Sequence, residues 1–148
     1  MENVLVAASN LYAVRALCVL PMHTCGWYLT SVAMSLSIAY HLCETRKHHM
    51  PGAVRVGIEG LLLNLDRLGA MALTGWFLTR AITNGQCLLL AYGSGALALN
   101  ALSEVLRWFK VDQHAPIGLV RCWYIVWHSA WHVAAFHLVY LVAHTDLV

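Results

Sequence analysis

The sequence predicts an all-α fold, a polytopic bundle of about five membrane-spanning helices, and three observations predict it. Of the 148 residues, 60% are hydrophobic and only 11% charged, against about a quarter charged in an ordinary soluble domain. The apolar residues collect in five runs of roughly the twenty residues needed to cross a bilayer. Polar or Pro/Gly punctuation bounds each run, and backbone in lipid must bond to itself, so the runs read as helices.

The first run covers about Asn3 to Leu20 and stops at Pro21. Its only early charge is Glu2, so it lacks the basic opening of a signal peptide and reads as a retained span carrying Arg15. The second run goes from near Thr24 to Cys43, ahead of "ETRKHHMPG". The third goes from about Ile58 to Ile82 and ends at "TNGQ". The fourth covers about Gln86 to Phe109, with "KVDQHAP" after it. The fifth starts near Pro116, a good first-turn residue, and continues to about Ala143. No repeat or low-complexity segment divides the chain, which reads as one domain over residues 1–148.

Charge sets the expected topology. Arg46, Lys47 and Arg55 lie in one loop and Arg107 and Lys110 at another, while the opposite side offers Arg80. The positive-inside rule puts the N-terminus and both basic loops on the cytosolic or matrix-like face. A formal net charge of +2 with no basic run argues against a nucleic-acid partner. The five cysteines show no CxxC pairing and read as small apolar residues. The small residues of "AYGSGALALNALS" in the fourth run read as a close-packing face.

Ionisable groups at membrane depth are costly and call for a reason. Ser37 and His41 share a helix face at i, i+4, as do His128 and His132 in "VWHSAWHVAAFH"; Asp66 lies about two turns into the third run. At about 1.5 Å per residue, Asp66 lies about 12 Å from the basic face. His128 and His132 lie about 10 and 16 Å in for an entry near Arg121. These groups can therefore converge in one half of the bilayer. Three neutral imidazoles and one open position make a catalytic zinc site, and zinc brings the pKa of a bound water to about 7. A serine and a carboxylate beside it would orient that water and take its proton. His137 falls off the stripe and reads as packing, and the remaining histidines read as loop or interfacial residues.

The motifs SxxxH at Ser37–His41, "YHLCE" at Tyr40–Glu44, "DRLG" at Asp66–Gly69 and "HSAWH" at His128–His132 resemble the CREST superfamily of membrane hydrolases. That superfamily includes alkaline ceramidases, adiponectin-receptor-like proteins and GPI-processing lipases, and the myomaker-like branch is the most similar. The resemblance implies zinc ligands at His41, His128 and His132, and a water-orienting pair at Ser37 and Asp66. It also implies seven spans where this chain has five runs, so the expectation is a reduced core with less wall around a lipid chain.

Three functions follow as expectations. The first is a zinc-dependent intramembrane hydrolase of a lipid amide or ester. The second is a catalytically silent accessory subunit, retaining the metal site within a larger membrane complex. The third is a haem-binding subunit with His41 and a fifth-run histidine as axial ligands. All three place the chain as a multi-pass membrane protein among lipids, with other membrane subunits as partners in the second.

Overall fold

A computed structural model of the chain describes residues 2–44, 57–109 and 117–145. The fold is all-α. The first run is two short helices, α1 (Glu2–Ser9) and α2 (Ala13–Leu17), joined by a 3₁₀ turn over Asn10–Tyr12. Then follow α3 (Cys25–Cys43), α4 (Ile58–Thr83), α5 (Cys87–Phe109) and α6 (Ile117–Thr145). The five helical segments stand where the hydrophobic runs place them. The basic residues Arg46, Lys47, Arg55 and Lys110, with His48, His49, His114 and Pro116, lie outside the described residues.

The break in the first segment has a local cause. Ser9 Oγ and Asn10 Nδ2 both donate to the carbonyl of Val6, at 2.6 and 3.2 Å. Side-chain donors that take up a helical carbonyl compete with the backbone ladder, and the chain tightens into i→i+3 bonding, with Ala13 N–H reaching Asn10 O. After Pro21, Thr24 caps α3 by accepting from the Trp27 N–H at 3.3 Å. The α4–α5 connection is a tight turn through Asn84 and Gly85. Gly85 adopts a φ of +66°, the left-handed conformation that glycine supplies after a helix end.

The helices form a ring. The α1–α2 unit packs against both α3 and α6, α3 against α4, and α5 runs along α6. Close approach of α3 and α4 depends on glycine. A Cβ on Gly69 would stand 3.4 Å from Cα of Ala33, and one on Gly26 would overlap the Trp76 ring. One apolar cluster joins Ala13, Ala16 and Leu20 to Leu73, Phe136 and Val139. A second joins Phe77, Ala81 and Leu89 to Leu138 and Val142 at the α4–α5 turn. Asn3 Nδ2 donates to the Glu44 carbonyl at 2.6 Å, tying the start of α1 to the end of α3. At the other end, Gln86 Nε2 donates to Thr145 Oγ1 at 2.5 Å.

Among the described residues, two helices are long and apolar enough to cross a membrane, within Cys87–Val105 and Cys122–Thr145. The other segments fall short for stated reasons. The first is split by its 3₁₀ turn, α3 carries Thr30, Ser31, Ser35, Ser37 and His41, and α4 carries Asn64, Asp66 and Arg67. Only 17% and 33% of the two apolar windows is buried inside the protein. All five cysteines are free and exposed.

Candidate metal centre

His41 sits near the C-terminal end of α3, and His128 and His132 lie on successive turns of α6. The i, i+4 spacing aims both α6 imidazoles at the same side, and the bundle brings His41 to meet them. Nε2 of His41 and Nε2 of His128 are 3.3 Å apart. One ring nitrogen from each of the three histidines lies within 4.8 Å of the others, and all three residues are buried. Two nitrogens each 2.0–2.1 Å from a tetrahedral ion stand about 3.3–3.4 Å apart, the spacing of the His41–His128 pair, while the His132 nitrogen lies within 4.8 Å of both. Ring centroids 4.7 to 5.3 Å apart leave no slot for a macrocycle between the imidazoles.

The opposite ring nitrogens are also placed. Nδ1 of His41 lies 3.5 Å from Glu44 Oε2, and the other carboxylate oxygen of Glu44 accepts from the Tyr40 hydroxyl at 3.1 Å. Nδ1 of His128 is 3.1 Å from Ser103 Oγ. Nδ1 of His132 meets Ser9 Oγ at 2.9 Å and Asn10 Nδ2 at 3.0 Å. Tyr124 stacks on the His128 ring at 5.1 Å and 23°. An imidazole that donates from Nδ1 presents a bare lone pair at Nε2, the form that ligates a metal. Two such lone pairs at 3.3 Å repel each other unless a cation or a proton lies between them. The donor set fits a divalent ion.

The three histidines, Ser37 and Asp66 all line one cavity of about 410 Å³. Asp66, half-buried on α4, lies within electrostatic reach of His41, and the Ser37 hydroxyl approaches its carboxylate. Apart from its approach to the Asp66 carboxylate, the buried Ser37 Oγ has no hydrogen-bond partner among the described residues. The Ser37 hydroxyl thus lines the cavity beside the Asp66 carboxylate, in reach of a polar group that enters it. Away from this polar end the cavity continues as an apolar arm past Leu73, Phe77, Leu97 and Leu138.

All five residues singled out in the sequence thus come together at one end of one cavity. His137 does not join them: it meets the Tyr12 hydroxyl at 3.2 Å and stacks on Tyr140. Ser9, Asn10 and Ser103 were not singled out. The signal for the first two was an adjacent polar pair inside an apolar run. Ser103 lay in the small-residue stretch of α5, where the close-packing reading hid its contact with His128. Neither family models, nor curated proteins, nor solved structures match this chain.

Proposed function

We propose that the chain is a zinc-dependent intramembrane hydrolase of a lipid ester or amide. The observation that carries this reading is the buried tri-histidine cluster, its ring nitrogens within 4.8 Å of one another, lining a cavity that Ser37 and Asp66 also line. The CREST resemblance of the same five residues supports it. A membrane setting is supported by two apolar helices whose surfaces are mostly unburied, and by exposed Leu61, Leu68, Met71, Leu88, Tyr92 and Val126 on α4, α5 and α6.

His41, His128 and His132 would hold a divalent ion, which when bound would lower the pKa of water and polarise a carbonyl oxygen. The protein's own residues do the rest. Ser37 hydrogen-bonds the attacking water and fixes its direction. Asp66 accepts the water's proton and returns it to the leaving alcohol or amine. The apolar arm holds a hydrocarbon chain so that the scissile bond lies at the polar end. Metal analysis of the purified protein, paired with hydrolysis of acyl-ester and acyl-amide lipids, tests the proposal. Stoichiometric zinc and chelator-sensitive turnover are expected; a wild-type protein that holds no metal overturns it.

One observation favours a second reading, a silent subunit that keeps the metal site inside a larger membrane assembly. The cavity wall between α4 and α5 is thin, with Leu78 and Leu97 lining the cavity yet 39% and 49% exposed. Zinc without turnover on any acyl lipid, together with stable co-purifying membrane chains, is the result that selects this reading.

A further inference from the structure

We infer that Ser9 and Ser103 are a matched pair of positioning residues that preset the two α6 histidines for metal; the inference rests on the metal-centre reading above. The two serines come from different helices, α1 and α5, and use the same device. Ser9 Oγ–H donates to the carbonyl of Val6, three residues back, at 2.6 Å. Ser103 Oγ–H donates to the carbonyl of Asn100, also three residues back, at 2.7 Å. A hydroxyl has one proton. With that proton committed to its own helix, each serine turns only lone pairs toward its histidine, His132 at 2.9 Å and His128 at 3.1 Å.

Each imidazole must then carry its proton on Nδ1 and leave Nε2 bare. The choice of tautomer is made before any ion arrives. Without such a partner, a neutral imidazole samples both tautomers, and the ion must select the correct one at both positions. Partners of this kind hold ring orientation as well as protonation, and losing one costs metal affinity on the order of 10–100-fold.

Asn10 offers His132 the opposite instruction. Its Nδ2 stands 3.0 Å from the same Nδ1 and would donate to it, selecting the Nε2–H form that cannot ligate through that atom. The serine contact is the shorter of the two, and the Val6 carbonyl, which also lies within hydrogen-bond reach of the His132 ring, accepts from the same protonated form. The same serine device also recurs at His128, whose Nδ1 lies 3.1 Å from Ser103 Oγ.

The test uses the full chain in detergent or nanodiscs. Metal-free wild type, Ser9→Ala, Ser103→Ala, the double variant, Ser9→Thr and Asn10→Ala are titrated with zinc against a chromophoric chelator. Nitrogen-15 NMR of the histidine rings reports the tautomer before metal is added. Each alanine variant is expected to lose about 10–100-fold in zinc affinity and to show mixed tautomers at one histidine. Threonine, which keeps the hydroxyl, restores both. Asn10→Ala is expected to keep the Nδ1–H form. Wild type that binds no zinc overturns the metal-centre reading itself. Wild type that binds zinc, with both alanine variants at wild-type affinity and tautomer, overturns this inference alone. So does loss of the Nδ1–H form in Asn10→Ala but not in Ser9→Ala.

Discussion

The most direct consequence of the site geometry concerns stability. An ion that binds the folded chain and not the unfolded one stabilises it by mass action, about 2.7 kcal/mol at a free concentration one hundred times Kd. For a chain near 150 residues, each kcal/mol moves Tm by about 2–4 °C, so zinc should raise Tm by about 5–11 °C. His128→Ala removes the nitrogen that stands 3.3 Å from Nε2 of His41 and leaves two imidazoles. The zinc-dependent shift should then vanish at the same free zinc. In chelator the variant should lose about 1.5–4.5 kcal/mol, because it gives up the contacts with Ser103 and His41, about 0.5–1.5 kcal/mol each, and the Tyr124 stacking contact, about 0.5–1.5 kcal/mol. The assay is thermal unfolding of the detergent-solubilised protein, with and without buffered zinc. A zinc shift in His128→Ala as large as in wild type would refute the assignment of His128 as a ligand.

Four further outcomes are expected. Asp66→Asn keeps the three imidazoles and should bind zinc normally while lowering lipid hydrolysis by about 10²–10⁴-fold; unchanged turnover removes Asp66 from the mechanism. Gly26→Ala places a Cβ into the Trp76 ring and should cost about 1–3 kcal/mol, read as a fall in Tm; no fall means that Trp76 has another seat. Gly75→Ala meets nothing within 4 Å in the interior of α4, so it should raise stability by about 0.5–1 kcal/mol, measured in the same melts. Leu97→Trp adds bulk at the α4–α5 side of the cavity and should slow hydrolysis of long-chain lipids by about tenfold, ~1.4 kcal/mol in the barrier, with zinc binding intact; equal rates on long and short chains argue against the apolar arm as the chain-binding region.

Which parts of this were legible in the sequence follows from the range of the forces involved. The helical segments were legible because length and apolarity alone demand them, and α3 through α5 stand within a residue or two of the boundaries read from punctuation. His128 and His132 were legible as a pair because i, i+4 spacing is local. Joining them to His41, 87 residues before His128, took the count of depth along each run from the basic face, since no periodicity connects α3 to α6; the motif resemblance implies the same set. The 3₁₀ turn at Asn10–Tyr12 was not legible, because it depends on two side chains choosing the Val6 carbonyl. Ser103 was hidden for a similar reason. Its contact depends on the register of α5 against α6, and a serine among glycines and alanines reads as packing until that register is known.

The α4–α5 seam is where the two functional readings divide. Along most of its length α5 belongs to α6: Ser103 holds His128, and Gln86 reaches Thr145. It meets α4 through Phe77, Ala81 and Leu89 near their common turn, and Phe77 lies against Gly93. Closer to the histidines both helices line the cavity, through Asp66 and Ala70 on one side and Asn100 and Glu104 on the other. On the proposed reading as a shortened CREST-like hydrolase, the two further helices of a seven-span form would fall between the third segment and the last, beside this seam. From Asp66 to Leu78 the cavity follows α4 for about 18 Å, slightly more than half of a hydrocarbon core about 30 Å thick. A hydrolase with a thin wall here needs no tunnel, because a lipid can bring its chain in sideways from its own leaflet. A silent subunit would instead have the same apolar seam covered by a neighbouring chain. The metal centre is common to both readings, so zinc binding alone does not separate them; what lies against Leu78 and Leu97 does.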